Sequence, residues 1–256
     1  MLLQVQIPIR NYSQLCVSNW LEPASVTIRA SKSTFPRDEK SLRLVTNSFP
    51  SKFNDDTSVG SCHGMTIVCN VPRNSLLYYL ASSIQQELNN NPILAPYIGI
   101  LDPTSLHMTV ADLVFSENIE KVKSHYNELY RRLETVMQSA AWTRFAMRIV
   151  PELHCGRSIR LNLQPYSQEA DEGLKAWRSA VYNTCGDICQ PQSNYWFHIT
   201  LGYVVYPMKN DVALAEAKAF CQAKQPLLAQ VSPIVLGPPV LSVFTSMNAF
   251  PPYNPL

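Results

Sequence analysis

The chain has 256 residues and a formal net charge of +2; 46 % of its residues are hydrophobic and 16 % charged. That length allows a sizeable core, while the near-neutral charge without a basic run excludes the basic stripe of a duplex binder and favours a small anionic ligand or a strand end. No apolar run approaches membrane-span length, Met1 to Arg10 lacks the apolar core of a secretion signal, and seven scattered cysteines read as reduced thiols of a cytoplasmic protein.

Residues 1–48 are rich in Ser, Asn and Pro. Leu3, Val5, Ile7 and Ile9 alternate as an edge-strand candidate that contains Pro8, and Ser25 to Ile28 form a weaker one. The expectation is an accessory extension, with the folded domain over 49–256. Gly64 to Val71 predict a strand, Met65, Ile67 and Cys69 alternating with Thr66, Val68 and Asn70. Asn74 is the expected cap of a helix burying Leu77, Leu80, Ile84 and Leu88, which Pro92 and Pro96 end. Asp102-Pro103 then turns the chain into a strand. Asn118 caps a second helix, with Val122, Tyr126, Leu129 and Leu133 on one stripe. Phe145, Met147 and Ile149 predict a strand, and Ile159, Leu161 and Leu163 another after a turn at Cys155-Gly156. A helix from Ser167 carries Leu174, Trp177 and Val181, and Gly186 terminates it. A last helix starts near Asn210. Ile234 to Leu236 and Val240 to Thr245 are expected to close the chain as a hairpin over Gly237-Pro238-Pro239.

One pattern occurs twice: Leu106-His107-Met108-Thr109-Val110 and Phe197-His198-Ile199-Thr200-Leu201. Side chains alternate faces along a strand. Each copy therefore buries three apolar residues on one side and offers an imidazole and a hydroxyl on the other. Ala111 and Gly202, the next residues of that parity, would leave room for a ligand. Both halves also share one order of elements: strand, helix, His-Thr strand, helix, strand. The expected fold is α+β: two antiparallel-sheet lobes with outer helices, duplicated across a pseudo-two-fold axis, with the histidines meeting in a central cleft.

Two His-x-Thr strands in a duplicated α+β domain resemble the two-histidine (2H) phosphoesterase superfamily, which includes RNA 2′,3′-cyclic phosphodiesterases and 2′-5′ RNA ligase-like proteins. The likeness is greatest to a branch known mainly as a domain of unknown function. It is carried by Lys52-Phe53-Asn54, Gly64-Met65-Thr66-Ile67-Val68, the two His-x-Thr segments, and Met247-Asn248-Ala249-Phe250. The resemblance implies a bilobal 2H-phosphoesterase-like fold and an RNA-processing hydrolase, with His107, Thr109, His198 and Thr200 catalytic. In the ligase-like branch an arginine often stands three residues after the second Thr. Here that residue is Tyr203, which leaves Arg148, Arg160 and Lys52 as replacements for a cationic phosphate contact, each also readable as solvated surface charge.

The chemistry suits the residue types. A free histidine titrates near pH 6.5, so one imidazole of a pair serves as base while the other serves as acid. Threonine hydroxyls are uncharged donors for phosphate oxygens. No cofactor and no metal is expected, because two histidines without a carboxylate or thiolate constellation make a poor metal site. His63, His125 and His154 lack the motif and read as structural or exposed. Cys185 and Cys189 lack the second pair that a zinc site needs. Trp196 shares the parity of His198 and reads either as a base-stacking wall or as core. Tyr203 has the opposite parity unless the strand bulges. The expected partner is a nucleotide or RNA end, bound by a monomer away from membranes. The alternatives are a catalytically silent nucleotide or RNA-end binding module of the same fold, and a pure interaction protein.

Overall fold

The computed structural model describes residues 60–116, 118–140, 143–189, 195–206, 208 and 210–252. The extension over 1–48, its two strand candidates and Lys52 lie outside the described residues.

Each helix begins where a side-chain oxygen satisfies a backbone N–H that the helix leaves orphaned. Helix α1 (Leu76–Asn90) is capped by Ser75 rather than Asn74. The Ser75 hydroxyl accepts from the Tyr78 N–H and donates to the Pro72 carbonyl, a two-way anchor that moves the start one residue on. Helix α2 (Ile119–Ala140) is capped by Asn118, α3 (Gln168–Cys185) by Ser167, and α4 (Asp211–Leu228) by Asn210. Gly186 ends α3 at φ 65°, where a Cβ is disfavoured. Among the described residues no helix is long and apolar enough to cross a membrane.

The strands are β1 (Ser61–Asn70), β2 (Ile98–Ile100), β3 (His107–Ser116), β4 (Phe145–Cys155), β5 (Ser158–Pro165), β6 (His198–Val204), β7 (Ile234–Leu236) and β8 (Val240–Ser246). They form one antiparallel sheet in the order β7-β4-β5-β6-β3-β1-β8, with β2 added to β6. β3 and β6 are joined by the pair Met108–Ile199, so the sheet has two wings, β7-β4-β5-β6 and β3-β1-β8. Each wing receives a strand from the far end of the other half: β4 joins β5, and β8 joins β1. The halves are exchanged as well as duplicated.

β7 and β8 are therefore not a hairpin. β7 pairs with β4 and β8 with β1, at opposite ends of the strand order. A flat sheet of seven strands would hold its edges about 29 Å apart at ~4.8 Å per strand, whereas the link through Gly237-Pro238-Pro239 reaches about 14 Å when fully extended. The sheet must curl for three residues to bridge its edges.

Met65, Ile67, Met108, Met147, Leu161 and Ile199 line the inner sheet face and pack against Ile84, Leu88, Leu129, Leu174 and Val181 of the helices. A smaller cluster of Cys62, Val68, Leu101, Phe244, Met247 and Phe250, with Tyr203 against it, is separate from this core. Gly202 is set by close approach: a Cβ there would lie 2.8 Å from the Gly99 carbonyl oxygen. Gly202→Ala is expected to cost about 1–3 kcal/mol in urea unfolding, the range for overpacking. Gly173→Ala, with open space around its α-helical site, is expected to gain roughly 0.5–1 kcal/mol.

Candidate active site

The parity read from the two motifs holds at their centre. Met108 and Ile199 are fully buried, while His107, Thr109, His198 and Thr200 are half-buried on the other face. Continuing the antiparallel register from Met108–Ile199 sets His107 against Thr200 and Thr109 against His198. The histidines are then diagonal neighbours, about 7–8 Å apart in a regular ladder.

Both imidazoles are held in the same way. His107 Nδ1 lies 2.6 Å from the carbonyl oxygen of Ser105, and His198 Nδ1 lies 2.7 Å from that of Trp196. A carbonyl only accepts, so each Nδ1 carries the proton, and in the neutral ring the lone pair is on Nε2. Each acceptor is the residue two before the histidine. Ser105 belongs to a 3₁₀ turn that Asp102 caps by accepting from Thr104, and Asn248 of the C-terminal tail accepts from the Asp102 N–H. Those Thr104 hydrogen bonds hold the Asp102 carboxyl below its usual range. Before β6 the lead-in is fixed when Leu163 N–H donates to the Phe197 carbonyl. Phe250 packs on the His107 ring at 4.0 Å between centroids, and Tyr195 stacks on His198 at 6.4 Å.

Beyond each threonine the alternation breaks. β3 pairs Thr109 with Val68 but Ala111 with Ile67, leaving Val110 as an extra residue. β6 pairs Thr200 with Arg160 but Gly202 with Ile159, leaving Leu201 extra. A bulge of this kind reverses the parity that follows. Ala111 and Gly202 are thereby turned off the His-Thr face, against the expectation that they leave room there, and Tyr203 is turned onto it. The bulged carbonyls are satisfied from buried helix side chains. Gln85 of α1 donates to the Leu201 and Leu101 carbonyls, and Arg178 of α3 donates to the Val110 carbonyl. Each half's helix thus holds the other half's His-Thr strand.

Arg178, 8 % exposed, also lies over Tyr195 at 4.4 Å and over Phe197 at 5.3 Å from the ring centroids. Burial pushes the Tyr195 phenol well above its ordinary value, so it stays protonated, with Thr109 among the neighbours that oppose the rise. Tyr195 escaped the sequence reading because it precedes the strand and strand parity does not govern it.

Trp196 is 65 % exposed, which removes its reading as core. Arg148 is exposed and bonded to Gln164. Arg160 and Asn162 of β5 pair with Thr200 and His198, and His154 of β4 pairs with Arg160. His154 therefore borders the site, although its lack of the motif suggested a purely structural or exposed residue. Burial, Arg160 and His198 together hold its imidazole below the ordinary value. Among the described residues no group of three or more His, Cys, Asp or Glu is placed to hold a metal ion.

Paired His-x-Thr strands thus stand at the joint of a duplicated, curled α+β sheet, the arrangement of a two-histidine phosphoesterase-like fold. Residues 52–149 match the family model 2H-phosphodiest, described as "Domain of unknown function (DUF1868)". The matched segment contains the first motif; the second lies beyond it. A crystal structure of a conserved protein of unknown function from Agrobacterium tumefaciens superposes with a TM-score of 0.71 at 20 % identity, over 86 % of this chain and 98 % of that one; it shares the fold. Escherichia coli LigT in apo form aligns with a TM-score of 0.33 at 11 % identity, over 59 % of this chain and 78 % of that one. No curated protein matches the sequence.

Proposed function

We propose that the protein is a metal-independent phosphodiesterase acting on a 2′,3′-cyclic phosphate or a 2′-5′ linkage at a nucleotide or RNA end. The observation that carries this reading is the matched hold on His107 and His198, each with Nδ1–H tied to the carbonyl two residues back, which makes Nε2 the basic nitrogen of the neutral ring. In the reaction a neutral Nε2 takes a proton from water as the water oxygen bonds to phosphorus. The partner imidazolium gives its Nε2 proton to the departing ribose oxygen as the P–O bond breaks. The Thr109 and Thr200 hydroxyls hold the non-bridging oxygens, and neither step calls for a metal. Trp196 and Tyr203 serve the nucleoside, Trp196 as a stacking surface, and Lys52 is a further candidate for the phosphate.

The test is turnover, in EDTA, of 2′,3′-cyclic nucleotides, 2′-5′ oligoadenylates and cyclic ADP-ribose phosphates. EDTA-resistant hydrolysis supports the proposal. Binding without turnover indicates the silent binding module, and neither indicates an interaction protein. Thr109→Ala and Thr200→Ala are each expected to lower kcat/KM by about 10–150-fold, the worth of a hydrogen bond to a charged group. Rate against pH is expected to be bell-shaped, its two limbs reporting the histidine pair rather than either residue.

A further inference from the structure

The polar face of the sheet continues past the two motifs. One cross-strand row runs His154 on β4, Arg160 on β5 and Thr200 on β6. Strands lie about 4.8 Å apart, so Arg160 is one strand beyond Thr200 and His154 two strands beyond it, on the side away from β3. The row extends outward from the place where the reacting phosphate is proposed to sit.

Arg160 contrasts with several other described cations. Arg132 pairs with Glu128, Arg148 bonds to Gln164, and Arg178 donates to the Val110 carbonyl. Arg160 is half-buried, its Nε is out of solvent with no hydrogen-bond partner, and no carboxylate pairs with it among the described residues. Its neighbour Asn162 has an Oδ1 in the same condition. Burying a charged group without a partner costs free energy, and burial accordingly disfavours the charged form of Arg160. An anionic ligand removes that cost. The ring of His154 lies over Gly156 in the β4–β5 turn, where a Cβ would come within 2.7 Å of its Nε2; the turn thus keeps the outer end of the row narrow.

Resting on the phosphodiesterase reading, we infer that Arg160, with His154 beside it, is a second anion subsite that takes a phosphate other than the one that reacts. The preferred ligand is then a nucleotide carrying an additional phosphate, such as a 5′-phosphate, or an oligonucleotide continuing past the reacting end. Arg160 supplies the planar fork of donors that suits a phosphate.

Binding of product-like ligands tests this independently of turnover. The probes are adenosine 2′-monophosphate against adenosine 2′,5′-bisphosphate, and the corresponding 3′ pair, measured by calorimetry on the full chain. The bisphosphate of at least one pair is expected to bind about tenfold or more tightly. Arg160→Gln should bring that ratio near one while leaving monophosphate affinity unchanged, His154→Gln should lower the ratio partly, and the surface control Arg148→Gln should not alter it. Equal affinity for mono- and bisphosphate in the wild type, or no binding of either, overturns the subsite. So does an Arg160→Gln protein, folded by circular dichroism, that loses affinity for both equally, since Arg160 would then hold the reacting phosphate. Failure of the phosphodiesterase reading shows separately, as intact bisphosphate preference with no hydrolysis of any cyclic or 2′-5′ substrate.

Discussion

His107→Ala and His198→Ala are each expected to lower turnover of a cyclic phosphodiester by about 10²–10⁴-fold, the usual worth of one general acid or base. The double variant should lose far less than the product of the two single losses, because groups that act as a unit are not additive. Both proteins should remain folded, since the core contacts of the two strands are made by Met108, Val110, Ile199 and Leu201 on the helix side. Initial rates at the pH optimum, with circular dichroism of each variant, check this. Near-wild-type turnover in a folded His198→Ala protein would make the second motif structural and remove the acid–base pair.

The largest effect on stability is expected at Arg178. Its guanidinium donates to the Val110 carbonyl at the β3 bulge and lies against Tyr195, Tyr182 and Phe197. Arg178→Leu leaves a buried carbonyl without a donor, which costs about 1–3 kcal/mol, and removes the cation from three rings, at roughly 0.5–1 kcal/mol or more each. A loss of about 2.5–6 kcal/mol in urea unfolding is the expected result. Arg178→Lys restores one donor but not the planar stack, so it should fall between wild type and Arg178→Leu. Because Arg178 lies over Tyr195, which stacks on His198, the same variants should also weaken phosphate binding. Unchanged stability in Arg178→Leu would mean that another group satisfies the Val110 carbonyl.

Much of this was legible because the periods are strong and local. The apolar stripes of α2 and α3, the Asn118 cap, the start of α3 near Ser167, and the strict alternation around His107 and His198 are read within a few residues of chain. What escaped the reading depends on pairing between distant strands. The bulges at Val110 and Leu201 show only when β3 is set against β1 and β6 against β5. Without them Ala111 and Gly202 seemed to line the cleft, and Tyr203 seemed to leave it. Arg160, one of three cations the sequence left open, comes beside Thr200 through β5, and His154 follows through β4, at sequence separations that no single-strand pattern encodes. The closing pair β7 and β8 looked like a hairpin because the turn chemistry of Gly237-Pro238-Pro239 is the same whether the flanking strands pair with each other or with opposite edges of a curled sheet. Gln85 and Arg178 stand at positions of helical stripes where an apolar residue would be unremarkable, and their polarity makes sense only once the bulged carbonyls of the opposite half are located.

The central claim is that both histidines present Nε2 to one shared phosphate. Long-range proton–nitrogen NMR of the histidine side chains, assigned with His107→Ala and His198→Ala and recorded during titration with inorganic phosphate, tests it most directly. The expected spectrum of the neutral rings shows both histidines as Nδ1–H tautomers, fixed by the Ser105 and Trp196 carbonyls, with both Nε2 signals shifting together along one saturation curve. An Nε2–H tautomer at either histidine, or a phosphate response confined to one of them, would contradict the account.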